Sequence, residues 1–113
     1  MSSRQRIVTE EDLEKALDFL RDSAQAMGDA KARTVRAGHM LKHTEALESK
    51  MSDERSAEGR KADARCSLRY VAAVEEDAVA AGEYEKMRSL REAAALKIEA
   101  WRTESSNYRA LKI

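Results

Sequence analysis

Val8-Thr9-Glu10-Glu11-Asp12-Leu13 decides how this chain folds. Thr9 reads as a helix N-cap, and Asp12 at the third helical position completes a shortened capping box. Val8 before the cap and Leu13 after it read as a hydrophobic staple. Glu10, Glu11 and Asp12 also favour the positive end of the helix dipole. The chain has no proline in its 113 residues, so the strongest helix breaker is missing downstream. The stretch therefore predicts one very long helix starting at residue 10.

From the cap, Leu13, Leu17, Leu20, Ala24 and Met27 recur at spacings of four and three, which is one helical face. Lys31, Thr34 or Val35, Gly38 and Leu41 keep the spacing with poorer residues, and Leu47 and Met51 close the run. The segment Met51-Ser52-Asp53-Glu54-Arg55-Ser56-Ala57-Glu58-Gly59 then carries capping residues, a glycine and no large apolar residue after Met51, so it reads as a turn. Helical spacing resumes near Ala62. Cys66, Tyr70, Ala73, Ala80, Tyr84, Met87, Ala94, Ile98 and Trp101 form a second face, and Ser105-Ser106-Asn107 reads as its stop. The reading is one helical domain over 1–113. It has a flexible arm at 1–8, a helix at 10–51, a turn at 52–60, a helix at 61–106 and a tail at 107–113.

The fold class is all-α: a long antiparallel two-helix hairpin, coiled-coil-like, with each helix roughly 60 Å long at 1.5 Å per residue. Charge order agrees with that arrangement. Residues 30–44 contain no acid and carry Lys31, Arg33, Arg36 and Lys42. In the hairpin they lie beside a stretch holding Glu75, Glu76 and Asp77, and complementary flanking charges set helix orientation. The acidic start lies beside Lys97 and Arg102. Glu83–Lys86, Glu85–Arg88 and Glu99–Arg102 add support along the second helix. Gly28 and Gly82 fall at one level, where they suggest close approach or a shared kink, since glycine costs about 1 kcal/mol in a helix interior. If both helices break there, the alternative is a compact four-helix bundle.

Composition narrows the function. Charged residues make up 37% of the chain and aromatics 4%, and alanine dominates the apolar set, so a globular core would be thin. Self-association or docking onto a partner is the usual remedy. The formal net charge is zero, so no global field draws the chain to nucleic acid or to a membrane. The one cysteine has no intramolecular disulfide partner, the start does not read as a signal peptide, and no apolar run is long enough to span a bilayer. A cytoplasmic setting is the expectation.

Few residues suggest chemistry. His39 and His43 are one turn apart, but two histidines fall short of the three or four ligands that zinc takes. Cys66 reads as a small buried residue on the packing face. There is no glycine-rich phosphate loop and no Ser-His-Asp order, so no catalytic residue, metal or cofactor is assigned and the chain is expected not to be an enzyme. Two basic clusters, Lys31, Arg33, Arg36 and Lys42, then Arg60, Lys61, Arg65 and Arg69, could contact phosphates with salt-dependent affinity. Their plainer role is pairing with acids of the neighbouring helix, and no aromatic platform lies within them for base stacking. Trp101 and Tyr108 are the most anchor-like residues for a partner, with packing against Leu13 and Leu17 as the competing role of Trp101.

The length and two-helix plan are similar to those of the WXG-type hairpin family, but its Trp-x-Gly turn is absent here. The segment Leu90-Arg91-Glu92-Ala93-Ala94 through Lys97-Ile98-Glu99-Ala100-Trp101-Arg102-Thr103-Glu104-Ser105-Ser106-Asn107, with Thr9-Glu10-Glu11-Asp12-Leu13-Glu14-Lys15-Ala16-Leu17, resembles short helical phage and prophage proteins found among DNA-metabolism genes. That resemblance implies an accessory role beside single-strand DNA handling. The functional expectation is a non-enzymatic, self-associating helical interaction or adaptor protein. It would form a homodimer or higher homo-oligomer and dock onto a protein partner. The alternative is an accessory nucleic-acid-binding protein in phage recombination or DNA metabolism.

Overall fold

The structure is a computed structural model that describes residues 6–111. It is all-helical, in the order α1 (Glu10–Asp22), α2 (Ala24–Met51), α3 (Ala57–Cys66) and α4 (Leu68–Leu111), with no strand among the described residues. None of these helices is long and apolar enough to cross a membrane. Contacts gather the chain into two compact units. One holds residues up to Met27 with those from Met87 onward, and the other holds Gly28–Lys86.

The N-terminal cap is as expected. The Thr9 side chain accepts from the Asp12 amide, and the Asp12 carboxylate accepts from the Thr9 amide, both at 3.1 Å. The rest of the chain's punctuation differs from the sequence reading, and serine causes most of the difference. The expected continuous helix over 10–51 is interrupted at Ser23, a buried residue. There the Arg91 guanidinium donates to the Leu20 carbonyl at 2.8 Å and to Ser23 Oγ at 2.6 Å. A side chain inserted at the carbonyl ladder is a recognised cause of a helix break. Gly28 and Gly82, by contrast, lie inside unbroken α2 and α4. A Cβ built at either would meet nothing within 4 Å, so neither marks a close approach.

The turn is shorter than the expected 52–60. Ser56 caps α3 by accepting from the Gly59 amide at 2.9 Å, so helix resumes at Ala57 rather than 61. Ser67 then adopts an extended backbone (φ −72°, ψ 149°) and its side chain accepts from the Tyr70 amide. The expected second helix is thus split into α3 and α4. Phase is reset at this break: Ala64 is buried and Cys66 is exposed, so Cys66 is not a packing residue. Ser105-Ser106-Asn107 does not stop α4, which runs to Leu111. Of the expected tail, 107–111 is therefore helical, and 112–113 lie outside the described residues.

The most deeply buried positions of the helices are small residues, and larger half-buried ones lie between them. Across α1 and α2 the more buried positions are Ala16, Leu20, Ser23, Met27, Ala30, Thr34, Ala37, Leu41, Thr44 and Glu48. In α4 they are Tyr70, Ala73, Asp77, Ala80, Tyr84, Met87, Arg91, Ala94, Ile98, Trp101, Ser105 and Tyr108. Both series alternate spacings of three and four, the 3.5-residue period of coiled-coil seams. Apart from Val8, every fully buried apolar residue described is alanine: Ala16, Ala37, Ala64, Ala80 and Ala94. The expected α1–α2 face was chosen for its large residues and lies partly to one side of this line. Leu17, Val35, Leu47 and Met51 are all exposed.

Within each unit the paired segments run antiparallel. In one, Val8 meets Glu104 and Leu20 meets Arg91. In the other, Thr34 meets Ala80 and Glu45 meets Arg65.

Candidate functional site

The unit formed by 28–86 carries most of the basic residues singled out from the sequence, and their geometry divides them. Arg33 is shared between Glu76, at 2.7 Å, and Glu83. The hydrogen bonds it donates to Glu76 first and Glu83 second raise its already high pKa. Arg65 lies 3.6 Å from Glu45, and Arg69 lies 3.9 Å from Glu48. Arg60 donates to the carbonyls of Glu54 and Arg55 and so ties down the turn before α3. Lys31 sits over the Tyr84 ring, 5.1 Å from its centroid. Arg36, Lys42 and Lys61 make no ion pair among the described residues. Five of the eight candidate phosphate contacts are therefore engaged within the chain. Exposed ion pairs add little stability, but these three join opposite segments and fix their register.

The expected cross-helix charge match holds through Glu76, with Glu83 as a second carboxylate that the sequence reading had assigned to Lys86. The Glu99–Arg102 pair is present at 3.1 Å. Lys97 helps lower the Asp12 pKa, after the larger effect of the Thr9 hydrogen bonds, which places it beside the acidic start of α1.

The same unit holds an open groove of about 460 Å³ between α2 and α4. Its apolar lining includes Ala37, Met40, Ala72 and Ala73, and Arg33, Arg36 and Glu76 stand at its rim. Met40 is 51% exposed. In the other unit a smaller groove, about 270 Å³, is lined by Phe19, Leu90 and Lys97 among others.

Trp101 and Tyr108 do come together, through a residue that the sequence reading left in a flexible arm. The Arg6 guanidinium lies 4.9 Å from the Trp101 ring centroid and 5.6 Å from that of Tyr108, and it also donates to Ser105 Oγ. The amides of Ile7 and Val8 both donate to the Glu104 carboxylate at 3.3 Å. Val8 is buried. Residues 6–8 are thus clasped to the end of α4, which corrects the expectation of a flexible arm over that part; residues 1–5 lie outside the described residues. Leu17 is half exposed. Two donors here, Arg6 Nε and Trp101 Nε1, are sealed from solvent with no acceptor among the described residues. A buried donor without a partner costs about 1–3 kcal/mol. Burial, ring stacking and the Glu104 hydrogen bonds therefore hold the clasp against an incomplete polar network.

No family model matches the chain, and searches of curated proteins and of solved structures find no similar protein.

His39 and His43 are exposed on α2. Among the described residues no group of three or more His, Cys, Asp or Glu side chains is gathered for a metal ion. What the sequence reading missed was the clasp and the α1–α2 half of the alanine line, since Ala73, Ala80 and Ala94 were on the expected second face. The first had a signal in the basic Arg6 set one staple away from the cap. The second had one in the regular spacing of Ala16, Ala30 and Ala37 with Ala73, Ala80 and Ala94.

Proposed function

We propose that this chain is a self-associating helical interaction protein, built as a long antiparallel hairpin whose exposed apolar side chains are covered by another chain. One observation carries the reading: apart from Val8, the apolar residues that are buried among those described are all alanine, while many large apolar residues stand exposed. Leu68, Val71, Val74 and Val79 of α4 and Val35, Met40, Leu47 and Met51 of α2 are all exposed. Burial is worth about 25 cal/mol per Å² of apolar surface, and alanine pairs supply little of it. Extended apolar surface on a folded chain marks an interaction site. The clasped end at Trp101 and Tyr108 supplies a second, aromatic surface for a protein partner.

Sedimentation velocity on the pure chain across a concentration series tests the reading. A mass of at least two chains is the expected result, and a single-chain mass throughout would overturn it. The nucleic-acid reading rests on Arg36, Lys42 and Lys61, whose charges no ion pair engages among the described residues. Gel shifts with single- and double-stranded DNA at low salt test it, and no shift would remove it.

A further inference from the structure

The groove between α2 and α4 is uneven in both size and charge over one short span. Met40 rises half exposed from its α2 wall, and Ala72 and Ala73 form its α4 wall. Thr34 of α2 meets Ala80 of α4, and six residues further along α2 and back along α4 bring Met40 close to the level of Ala72 and Ala73, with which it lines one groove. Arg33 sits between two carboxylates, Glu76 and Glu83, which leaves one negative charge in excess. Arg36 lines the same groove a turn away and has no ion pair among the described residues. A large apolar knob therefore stands beside a shallow alanine hole, and an arginine without an ion pair among the described residues stands beside a carboxylate that shares its one arginine with a second carboxylate.

We infer that this groove binds a second copy of the chain about a two-fold axis running along the helices. The inference rests on the self-association proposed above and adds the face and the direction of the contact. Rotation about such an axis lays α2 of each copy over α4 of the other without changing height. Met40 then enters the Ala72–Ala73 hole of the second copy, as a knob enters a hole. Arg36 approaches Glu76 of the second copy. Both contacts occur twice, as an isologous interface requires. An axis through Met40 but across the helices does worse. It stacks Met40 on Met40, alanine on alanine, and sets Arg36 against Thr44.

Two single-cysteine chains test this, both carrying Cys66→Ser because the native thiol is exposed. One also carries Met40→Cys and the other Ala73→Cys. Treated with a short bismaleimide, the mixture is expected to give a band of twice the chain mass that requires both variants. A cross-linked homodimer of the Met40→Cys chain in its place would set the axis across the helices and overturn the inference. No cross-link, with the unsubstituted protein sedimenting as a dimer, would also overturn it while leaving self-association standing. A monomeric unsubstituted protein would remove both. Arg36→Glu, at an exposed position, is expected to raise the dimer dissociation constant about tenfold or more, and an unchanged constant would count against the Arg36–Glu76 contact.

Discussion

Ala80→Leu is the substitution that most directly probes the alanine line. Ala80 is 1% exposed, and its carbonyl accepts from Thr34 Oγ1 of the facing helix at 3.4 Å. The two backbones are close here, so three added heavy atoms have no free volume to enter. Overpacking of this kind costs about 1–3 kcal/mol. Helix propensity does not contribute, because leucine is nearly as good a helix former as alanine. Ala81 is the control: it is the next residue of the same helix and it is exposed. Ala81→Leu is expected to stay within about 0.5 kcal/mol of the parent. With a urea slope of about 1–2 kcal/mol per molar for a chain of this size, the Ala80→Leu midpoint falls by roughly 1 M. Urea titration followed by far-ultraviolet circular dichroism reads both variants. Equal midpoints for the two, or a gain for Ala80→Leu, would mean that the helices do not meet along this line.

Four further outcomes follow from single contacts. Thr9→Ala removes the N-cap acceptor and is expected to cost about 1 kcal/mol, read by the same titration. Hydrogen bonds from Thr9 hold the Asp12 carboxyl below its ordinary pKa. The stability it contributes is therefore present above the ordinary carboxyl pKa and is lost as pH falls through its lower folded value. Asp12→Asn should lower the midpoint at pH 7 and converge with the parent in strong acid, and a constant difference across pH would refute the assignment. Gly59→Ala should destabilise despite the better helix propensity of alanine. Its Cβ would lie 2.9 Å from Ser56 Oγ and 3.1 Å from Glu54 Cβ, against the α3 cap. A higher melting temperature in this variant would show that the turn yields freely. Arg33→Gln should weaken the protein only slightly, and the difference should vanish in 1 M salt because its ion pairs are exposed.

The helical content and the first cap were legible because they rest on local signals. Thr9 and Asp12 are three residues apart, and their reciprocal hydrogen bonds need nothing from the rest of the chain. The breaks at Ser23 and Ser67 were not legible for opposite reasons. Ser67 acts locally on the Tyr70 amide, but a serine three residues before a tyrosine is too common a pattern to stand out. Ser23 acts with Arg91, which lies 68 residues away in sequence. No window on the sequence joins those two. The glycines drew attention instead, and both proved to be ordinary helical positions facing open space.

The displaced face has a more general cause. Hydrophobic periodicity weights each position by the size of its side chain, so it assigns the interface to Leu17, Leu47 and Met51. Two long helices that approach closely bury small side chains where they meet, whereas Leu20, Met27, Leu41, Ile98 and Trp101 on the same line stay half-buried and other large residues lie on its flanks. The sequence signal for such a seam is regular spacing of alanine, even with Asp77 and Arg91 interspersed at the same period. The same geometry bears on the basic residues. Arg33, Arg65 and Arg69 reach across the seam to Glu76, Glu45 and Glu48. Their positive charge is then already engaged on the chain itself. A polyanion would have to compete with these carboxylates at three of its eight candidate contacts, whereas Arg36 of a second copy would share Glu76 with Arg33, which keeps Glu83 as its other partner.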